Sequence, residues 1–322
     1  MSNAGSIAVL LSAYNGEKYI RQQIDSILRQ KDIESLTLYI RNDGSTDGTL
    51  EAIKDLQNSC RNEYNYDNRD IEIIDGENIG LVASFFELLH YAHERNHDFY
   101  SFSDQDDYWL PDKIDVAITT LEQNGSNVPM LYSACSTIVD ENLEHSNGRT
   151  QIQLRDITFY NTAIQNFCPG HNQVMNKRLA DIVVSKTKYS PQIYSHDSWI
   201  TNVAVVRGKI IFDNNPHVLY RQHGNNQLSY GKNKIGWITD HFKRLLQKQE
   251  GRKIAIQLKY FIECYGHYLT EEQIEETRHF FDCQSSIFKR IKYVMTSRLY
   301  RQKKFETIIC KIIYLLGFFK NV

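Results

Sequence analysis

The sequence is short of the features that would place it in a class at once. Its 37 Lys and Arg are matched by 39 Asp and Glu, and the formal net charge of −2 gives no global positive field to favour nucleic acid. Cysteine is sparse: six residues stand at 60, 135, 168, 264, 283 and 310, with none of the close pairing that metal knuckles use. They read as reduced thiols of a cytosolic protein. No stretch approaches the about 20 apolar residues of a membrane span. The N-terminus shows no basic segment leading into a long apolar one, because Ile7–Leu11 is too short for a signal core. There is no internal repeat and no low-complexity tract. Neither the glycine spacing of a dinucleotide fingerprint nor that of a P-loop occurs.

What is present is enough for a large core, at 41% hydrophobic and 12% aromatic residues. The first half alternates two periodicities. Residues 7–14 (IAVLLSAY) form a short apolar run, as a buried parallel strand does. Residues 17–30 place Tyr19, Ile20, Ile24, Ile27 and Leu28 on one helical face. Strands are predicted over 36–43, 71–76 and 98–103, and helices over 46–57 and 80–94. Such alternation implies a mostly parallel sheet covered by helices on both faces. Ligands of these sheets bind beyond the carboxyl ends of the strands.

The polar clusters fall there: AYNG after the first strand, RNDGSTDGT after the second, SDQDD after the fourth. Beyond residue 130 the spacing predicts a strand over 130–140, a loop, strand and helix over 166–184, a helix over 196–206, and strand, turn and strand over 209–226. From about residue 235 the chain is mostly helical and rich in Lys and Arg.

Each cluster alone has an ordinary explanation. Gly80 suits a helix-entry turn, and RNDGSTDGT suits a polar strand-to-helix turn with Ser45 or Thr46 as a cap. Asp104, Asp106 and Asp107 within four positions suit a solvated turn, although partly buried carboxylates lose hydration and repel one another. Trp109 and Trp199 lie in apolar, helix-like surroundings and are predicted to be core.

The combination is more specific. SAYNGEKYIRQQIDSILRQ, IRNDGSTDGTLEAI, ENIGLVASF and SFSDQDDYWLPDKI occur in that order, and together they resemble the family 2 glycosyltransferases over residues 6–225. SDQDDYWLPDKI and YRQHGNN resemble the branch of bacterial rhamnosyltransferases of surface polysaccharides. The resemblance implies an α/β fold of GT-A type, a nucleotide-diphosphate sugar donor, and a divalent cation, Mg²⁺ or Mn²⁺. It implies that Asp104 and Asp106 are the Asp-x-Asp motif, with Asp104 and Gln105 at the donor and Asp106 on the metal. Hard oxygen ligands suit such an ion.

The same resemblance places Ala13, Tyr14, Asn15, Asp43, Asn78 and Gly80 around the nucleotide, and Arg221 at the diphosphate. Gly170 and His171, in CPGH, fall at the loop approaching donor sugar and acceptor. His223 falls at a late metal ligand, against the simpler reading of a structural histidine. Asp197 takes the position of the general base. His196 replaces the glutamate usual beside that base, so it either contacts the acceptor or merely starts a helix.

These roles add up to sugar transfer with inversion to a saccharide or lipid-linked acceptor, with dTDP-L-rhamnose favoured as donor. Two other readings stay open: a sugar-nucleotide nucleotidyltransferase, for which AYNGEKY lacks glycine density, and a binding module without chemistry. The expected organisation is a catalytic domain over 1–230 and a helical region over 231–322. Residues 289–320 mix a basic block with an apolar run. Such a helix either packs on the catalytic domain or lies on an anionic membrane surface, giving a cytoplasmic protein peripheral to the inner face of the membrane.

Overall fold

The structure is a computed structural model that describes residues 5–63, 68–125, 127–187, 189–223 and 248–320. Its strands are β1 (Ser6–Ala13), β2 (Ser35–Asp43), β3 (Arg69–Gly76), β4 (Phe99–Ser103), β5 (Tyr108–Trp109), β6 (Met130–Ala134), β7 (Thr137–Val139), β8 (Ser146–Arg149), β9 (Val174–Asn176), β10 (Lys209–Asp213) and β11 (Val218–Arg221). Its helices are α1 (Glu17–Leu28), α2 (Thr49–Glu63), α3 (Leu81–His93), α4 (Lys113–Gln123), α5 (Phe159–Thr162), α6 (Lys177–Lys186), α7 (His196–Arg207), α8 (Lys248–Tyr265), α9 (Glu271–Asp282), α10 (Ile287–Thr296) and α11 (Lys304–Leu315). The chain divides into two compact units. One comprises Met1–Ile152, Cys168–Tyr189 and Gly208–Asn225; the other comprises Gln153–Phe167, Ser190–Arg207 and Asn226–Val322.

The first unit is the expected α/β layer structure. A seven-stranded sheet runs β10-β6-β9-β4-β1-β2-β3. β1 pairs in parallel with both β2 and β4, so its apolar run is buried on both faces. β9 pairs antiparallel with β4 and β6. From α1, Ile20, Ile24, Ile27 and Leu28 enter the core at the spacing of one helical face. α4 adds Ile114, Ala117, Ile118 and Leu121 in the same way. The sequence order β1, β2, β3 moves outward on one side of β1, while β4 lies on its other side. The crevice beyond the ends of β1 and β4 is therefore the topological switch point, where open α/β sheets bind ligands.

Two local expectations change. The single strand expected over 130–140 is two: β6 belongs to the large sheet and β7 to a second sheet of order β5-β11-β7-β8. Cys135 and Ser136 divide them, with the Cys135 N–H donating to Asp213 and the Ser136 N–H to the Thr150 hydroxyl. Trp109 is buried as expected, but on the short strand β5 rather than a helix.

The second unit, as described, is helical, with α5, α7 and α8–α11. Trp199 packs against the rings of Tyr260 and Phe261, both at 5.4 Å. A second aromatic cluster joins Phe280, Tyr293, Tyr314 and Phe319. The 289–320 segment is two helices, α10 and α11, rather than one. No described helix is long and apolar enough to cross a membrane.

Candidate active site

The loops after β1, β2 and β4 are stitched together by side chains that bond backbone. After β1, Asn15 turns with φ 48°, and its Oδ1 accepts from the Thr46 N–H at 2.8 Å. The Asn15 N–H donates to the Ser45 hydroxyl at 3.1 Å, and the Gly16 N–H to the Thr49 hydroxyl at 2.8 Å. Gln105 crosses the switch-point crevice. Its Oε1 accepts from the Tyr14 N–H at 2.9 Å, and its Nε2 donates to the Tyr14 carbonyl at 3.0 Å. A Cβ on Gly16 would lie 2.3 Å from Gln105 Oε1, so the absence of a side chain there lets the bridge form. The Tyr14 ring stays exposed beside it.

Asp43 ends β2 as a buried carboxylate. It pairs with Arg41 and accepts from the N–H groups of Ile79 at 2.9 Å and Gly80 at 3.0 Å. Gly80 adopts φ +85°, a conformation that side-chain-bearing residues rarely take, and this turns its N–H onto Asp43. Asn78 is exposed in the same loop. Four lone-pair directions are available on a carboxylate, and these three bonds leave one.

The acidic loop leaving β4 separates its carboxylates. Asp104 points outward with 36% of its side chain exposed, whereas Asp107 is fully buried. Burial pushes the Asp107 carboxyl pKa well up, against the pull of His171. Burial likewise pushes the Lys113 amine well down, offset by Asp107. Lys113 Nζ donates to the Ser101 hydroxyl at 3.1 Å and sits 3.4 Å above the Trp109 ring.

His171 faces this group from the CPGH loop, its Nδ1 3.5 Å from Asp104 and 3.9 Å from Asp107. Burial alone would favour a neutral imidazole, but Asp107 and Asp104 outweigh it and hold the His171 pKa above its ordinary value. His171 Nε2 is taken by the Ser136 hydroxyl at 2.9 Å, and the ring stacks on Tyr220 at 5.1 Å. Asp104, Asp107 and His171 present ligand atoms that lie within 4.8 Å of one another. Gly170, in the same loop, is buried.

Asp106 turns to the other side. Its Oδ2 meets His223 Nε2 at 2.7 Å, across 117 residues of sequence. Burial and the charge of Asp104 raise the Asp106 pKa, and His223 opposes them. His223 stacks on Tyr19 at 4.8 Å. Arg221, buried at the end of β11, locks the loop from behind. Its Nε donates to the Asp106 carbonyl at 2.8 Å, its Nη2 to Gln22 at 2.8 Å and its Nη1 to the Glu141 carbonyl, while its backbone N–H donates to Asp107 at 3.2 Å.

Asp197 lies in the second unit, at the first turn of α7. Its carboxylate accepts from Asn166 at 2.8 Å, from the Ser198 N–H at 2.8 Å and from the Ser195 hydroxyl. Burial would raise its pKa, but His196 and these donors together hold it below the ordinary value. His196 is buried beside it. Gln257 secures the approach to the helix by accepting from the Tyr194 and Ser195 N–H groups at 3.1 and 3.3 Å.

Residues 8–183, more than half the chain, match the family described as Glycosyl transferase family 2. The chain belongs to glycosyl transferase family 2. The dTDP-rhamnosyl transferase RfbG of Shigella flexneri is 31% identical over 227 residues, covering 68% of this chain and 73% of that protein. Among solved structures, S. aureus TarS 1-349 in complex with UDP-GlcNAc aligns with TM-score 0.56 at 14% identity, over 97% of this chain and 90% of its own. The mannosyltransferase PcManGT from Pyrobaculum calidifontis, in complex with GDP-Man and Mn2+, aligns with TM-score 0.51 at 12% identity, over 98% and 86%. At such identities the two structures bear on the fold alone, and that fold is the GT-A type.

In this glycosyltransferase, the sequence motifs named the acidic loop but missed what holds it. Lys113 carried a readable signal, since it shares the face of Ala117 and Leu121 in α4 and so is a cation on an apolar stripe. The bonds of Gln22, Glu141 and Ser136 are long-range and left no local signal. Arg221→Lys keeps the charge and loses the planar fork. Because donors would be withdrawn from two part-buried carbonyls, it should destabilise the protein by about 1–2 kcal/mol. Urea denaturation checks this; a change within about 0.5 kcal/mol, as at an ordinary surface site, would contradict the clamp.

Proposed function

We propose that this glycosyltransferase moves a sugar, with inversion, from a nucleoside-diphosphate donor to a hydroxyl of a saccharide or lipid-linked acceptor in surface polysaccharide synthesis. L-Rhamnose from dTDP-rhamnose is the donor we assign, on the activity for which the Shigella relative is named. The observation that carries the reading is the meeting of Asp106 and His223 in the loop beyond β4.

A carboxylate oxygen and an imidazole nitrogen aimed at one another, with Asp104 half-exposed two positions away, fit a divalent cation of the Mg²⁺ or Mn²⁺ class. Asp106 and His223 would hold it, and the bound ion would supply charge stabilisation for the departing diphosphate. The neighbouring set of Asp104, Asp107 and His171 fits less well as an open site. Asp107 is enclosed, with burial favouring its neutral form, and His171 has one nitrogen committed to Ser136. We assign that set to holding the loop, with His171 fixing Asp104.

The other roles follow from the donors and acceptors that each side chain keeps. Asp43 retains one acceptor direction, suited to the imide N–H of a pyrimidine base. Ala13, Tyr14, Asn15, Asn78 and Gly80 frame the nucleotide, and Gln105 fixes the crevice across which it lies. Arg221 acts on the donor through Asp106, because its fork is bonded to protein.

Asp197 takes the acceptor proton as the hydroxyl attacks the anomeric carbon from the face opposite the diphosphate. That assignment rests on the sequence match and on its surroundings within its own unit, where His196 and three hydrogen-bond donors keep it ionised. An ordinary or acidic carboxylate suffices, since the hydroxyl becomes acidic only as its new bond forms.

The test is product analysis with dTDP-rhamnose and an acceptor. Release of dTDP together with a glycoside of inverted configuration is expected; pyrophosphate released when dTTP and a sugar 1-phosphate are supplied instead, or no turnover with any nucleotide sugar, would overturn the reading in favour of the nucleotidyltransferase or the binding module. Asp197→Asn should lower kcat about 10²–10⁴-fold with donor affinity unchanged. If donor affinity collapses while bound donor still turns over, Asp197 is a donor ligand instead.

The pH profile offers an independent check. A folded pKa held below the ordinary value favours the charged form, and that benefit is lost only as pH falls through the folded pKa. The acid limb of kcat due to Asp197 should thus lie below the ordinary carboxylate range. A limb near neutrality that disappears in Asp197→Asn would contradict this.

A further inference from the structure

α10 and α11 carry large apolar residues on their exposed sides as well as their buried ones. In α10, Arg290 and Tyr293 face inward, while Ile287, Phe288, Ile291 and Met295 share the opposite face at helical spacing. Phe288 is 81% exposed and Met295 80%. In α11, Cys310, Ile313 and Tyr314 are buried, while Phe305, Ile308, Ile312 and then Leu316 form a second exposed row. Ile308 is 60% exposed and Leu316 55%.

The two helices are neighbours. Tyr293 and Tyr314 stack at 4.6 Å, and Lys311 Nζ donates to the Val294 carbonyl at 2.8 Å. Their inward sides already fill the core around Phe280 and Phe319, so the outer rows are surplus to folding. Single exposed apolar residues are ordinary on a protein surface, but eight in two adjoining rows are not.

The charge carried by this segment itself is almost all of one sign, although Arg298 pairs with Glu272 of α9. Residues 286–320 contain nine Lys and Arg and one acidic residue, Glu306. Glu306 is buried and paired with Arg301 at 3.3 Å. Lys289, Lys292 and Lys304 are exposed.

We propose that this face is a membrane-surface site, seated on a bilayer that carries anionic headgroups. The apolar rows enter the acyl boundary, and the lysines lie on the headgroups. Charge complementarity selects this occupant: a second copy would bring one basic surface against another. The site is defined by the α10–α11 pair alone and does not depend on the sugar-transfer reading. Its test measures no turnover, so the two fail separately.

The test uses the full chain in co-sedimentation with vesicles of phosphatidylcholine, alone or mixed with phosphatidylglycerol. One variant combines Phe288→Ser, Met295→Ser, Ile308→Ser and Leu316→Ser; another combines Lys289→Ala, Lys292→Ala and Lys304→Ala. All seven positions are exposed, so both variants should keep the parental circular dichroism and melting temperature. Wild type should sediment with the anionic vesicles at low salt and release as salt rises. The lysine variant should partition about 100-fold more weakly, and the apolar variant at least about 100-fold more weakly. Absence of wild-type binding to anionic vesicles at low salt, or undiminished binding by the apolar variant, would overturn the proposal. So would a wild-type dimer that the apolar variant dissociates in the absence of any vesicle binding.

Discussion

A carboxylate with no exposed surface dictates the arrangement of the acidic loop. Asp107 is fully enclosed, burial favours its neutral form, and a buried polar group calls for partners. Lys113 lies on one side, held over Trp109; His171 faces it from the CPGH loop; the Arg221 backbone N–H bonds it from β11. Each comes from a different part of the chain, so α4, the glycine loop and β11 meet around one carboxyl, whose Oδ1 takes the Arg221 N–H while its Oδ2 has no hydrogen-bond partner among the described residues. Asp104 and Asp106, in the same loop, are presented to opposite neighbours: Asp104 to His171, Asp106 to His223. The loop is crowded with carboxyl groups because one of them serves the fold while Asp104 stays partly exposed.

The switch point adds the second constraint. β1, β2 and β4 are neighbouring parallel strands, so their carboxyl ends and the loops that leave them lie at the same edge of the sheet. Gln105 spans the gap between β1 and β4 with two bonds to one residue's backbone, and Asn15 and Thr49 tie the β1 loop to the β2 loop. Rigid positioning of these loops is what a site needs if its polar groups are to meet a charged donor without reorganising.

The strand–helix alternation was legible in the sequence because buried parallel strands and amphipathic helices carry strong, different periods. Ile7–Leu11 and the Ile20, Ile24, Ile27 stripe could hardly be read otherwise. The break of 130–140 was not legible, since MLYSACSTIVD contains no glycine or proline to mark it. What separates β6 from β7 is a pair of long-range bonds, from Cys135 to Asp213 and from Ser136 to Thr150. At the site, the acidic triplet was visible as a motif, but its division of labour was not. Burial distinguishes Asp107 from Asp104, and burial depends on residues as distant as Arg221. His171 is placed at the acceptor by its position in CPGH; its ring lies among Asp104, Ser136 and Tyr220, a packing that spacing cannot express. The YRQHGNN segment continues past His223 into residues outside those described.

The central claim is that Asp106 and His223 hold the cation while Asp107 and His171 hold the loop. Electron paramagnetic resonance of Mn²⁺ bound in the presence of dTDP tests this directly. The account predicts that Asp106→Ala and His223→Ala each abolish the bound signal, whereas His171→Ala keeps it at wild-type stoichiometry with a lowered melting temperature. Loss of the signal in His171→Ala, with full retention in His223→Ala, would contradict the account and place the ion at Asp104, Asp107 and His171.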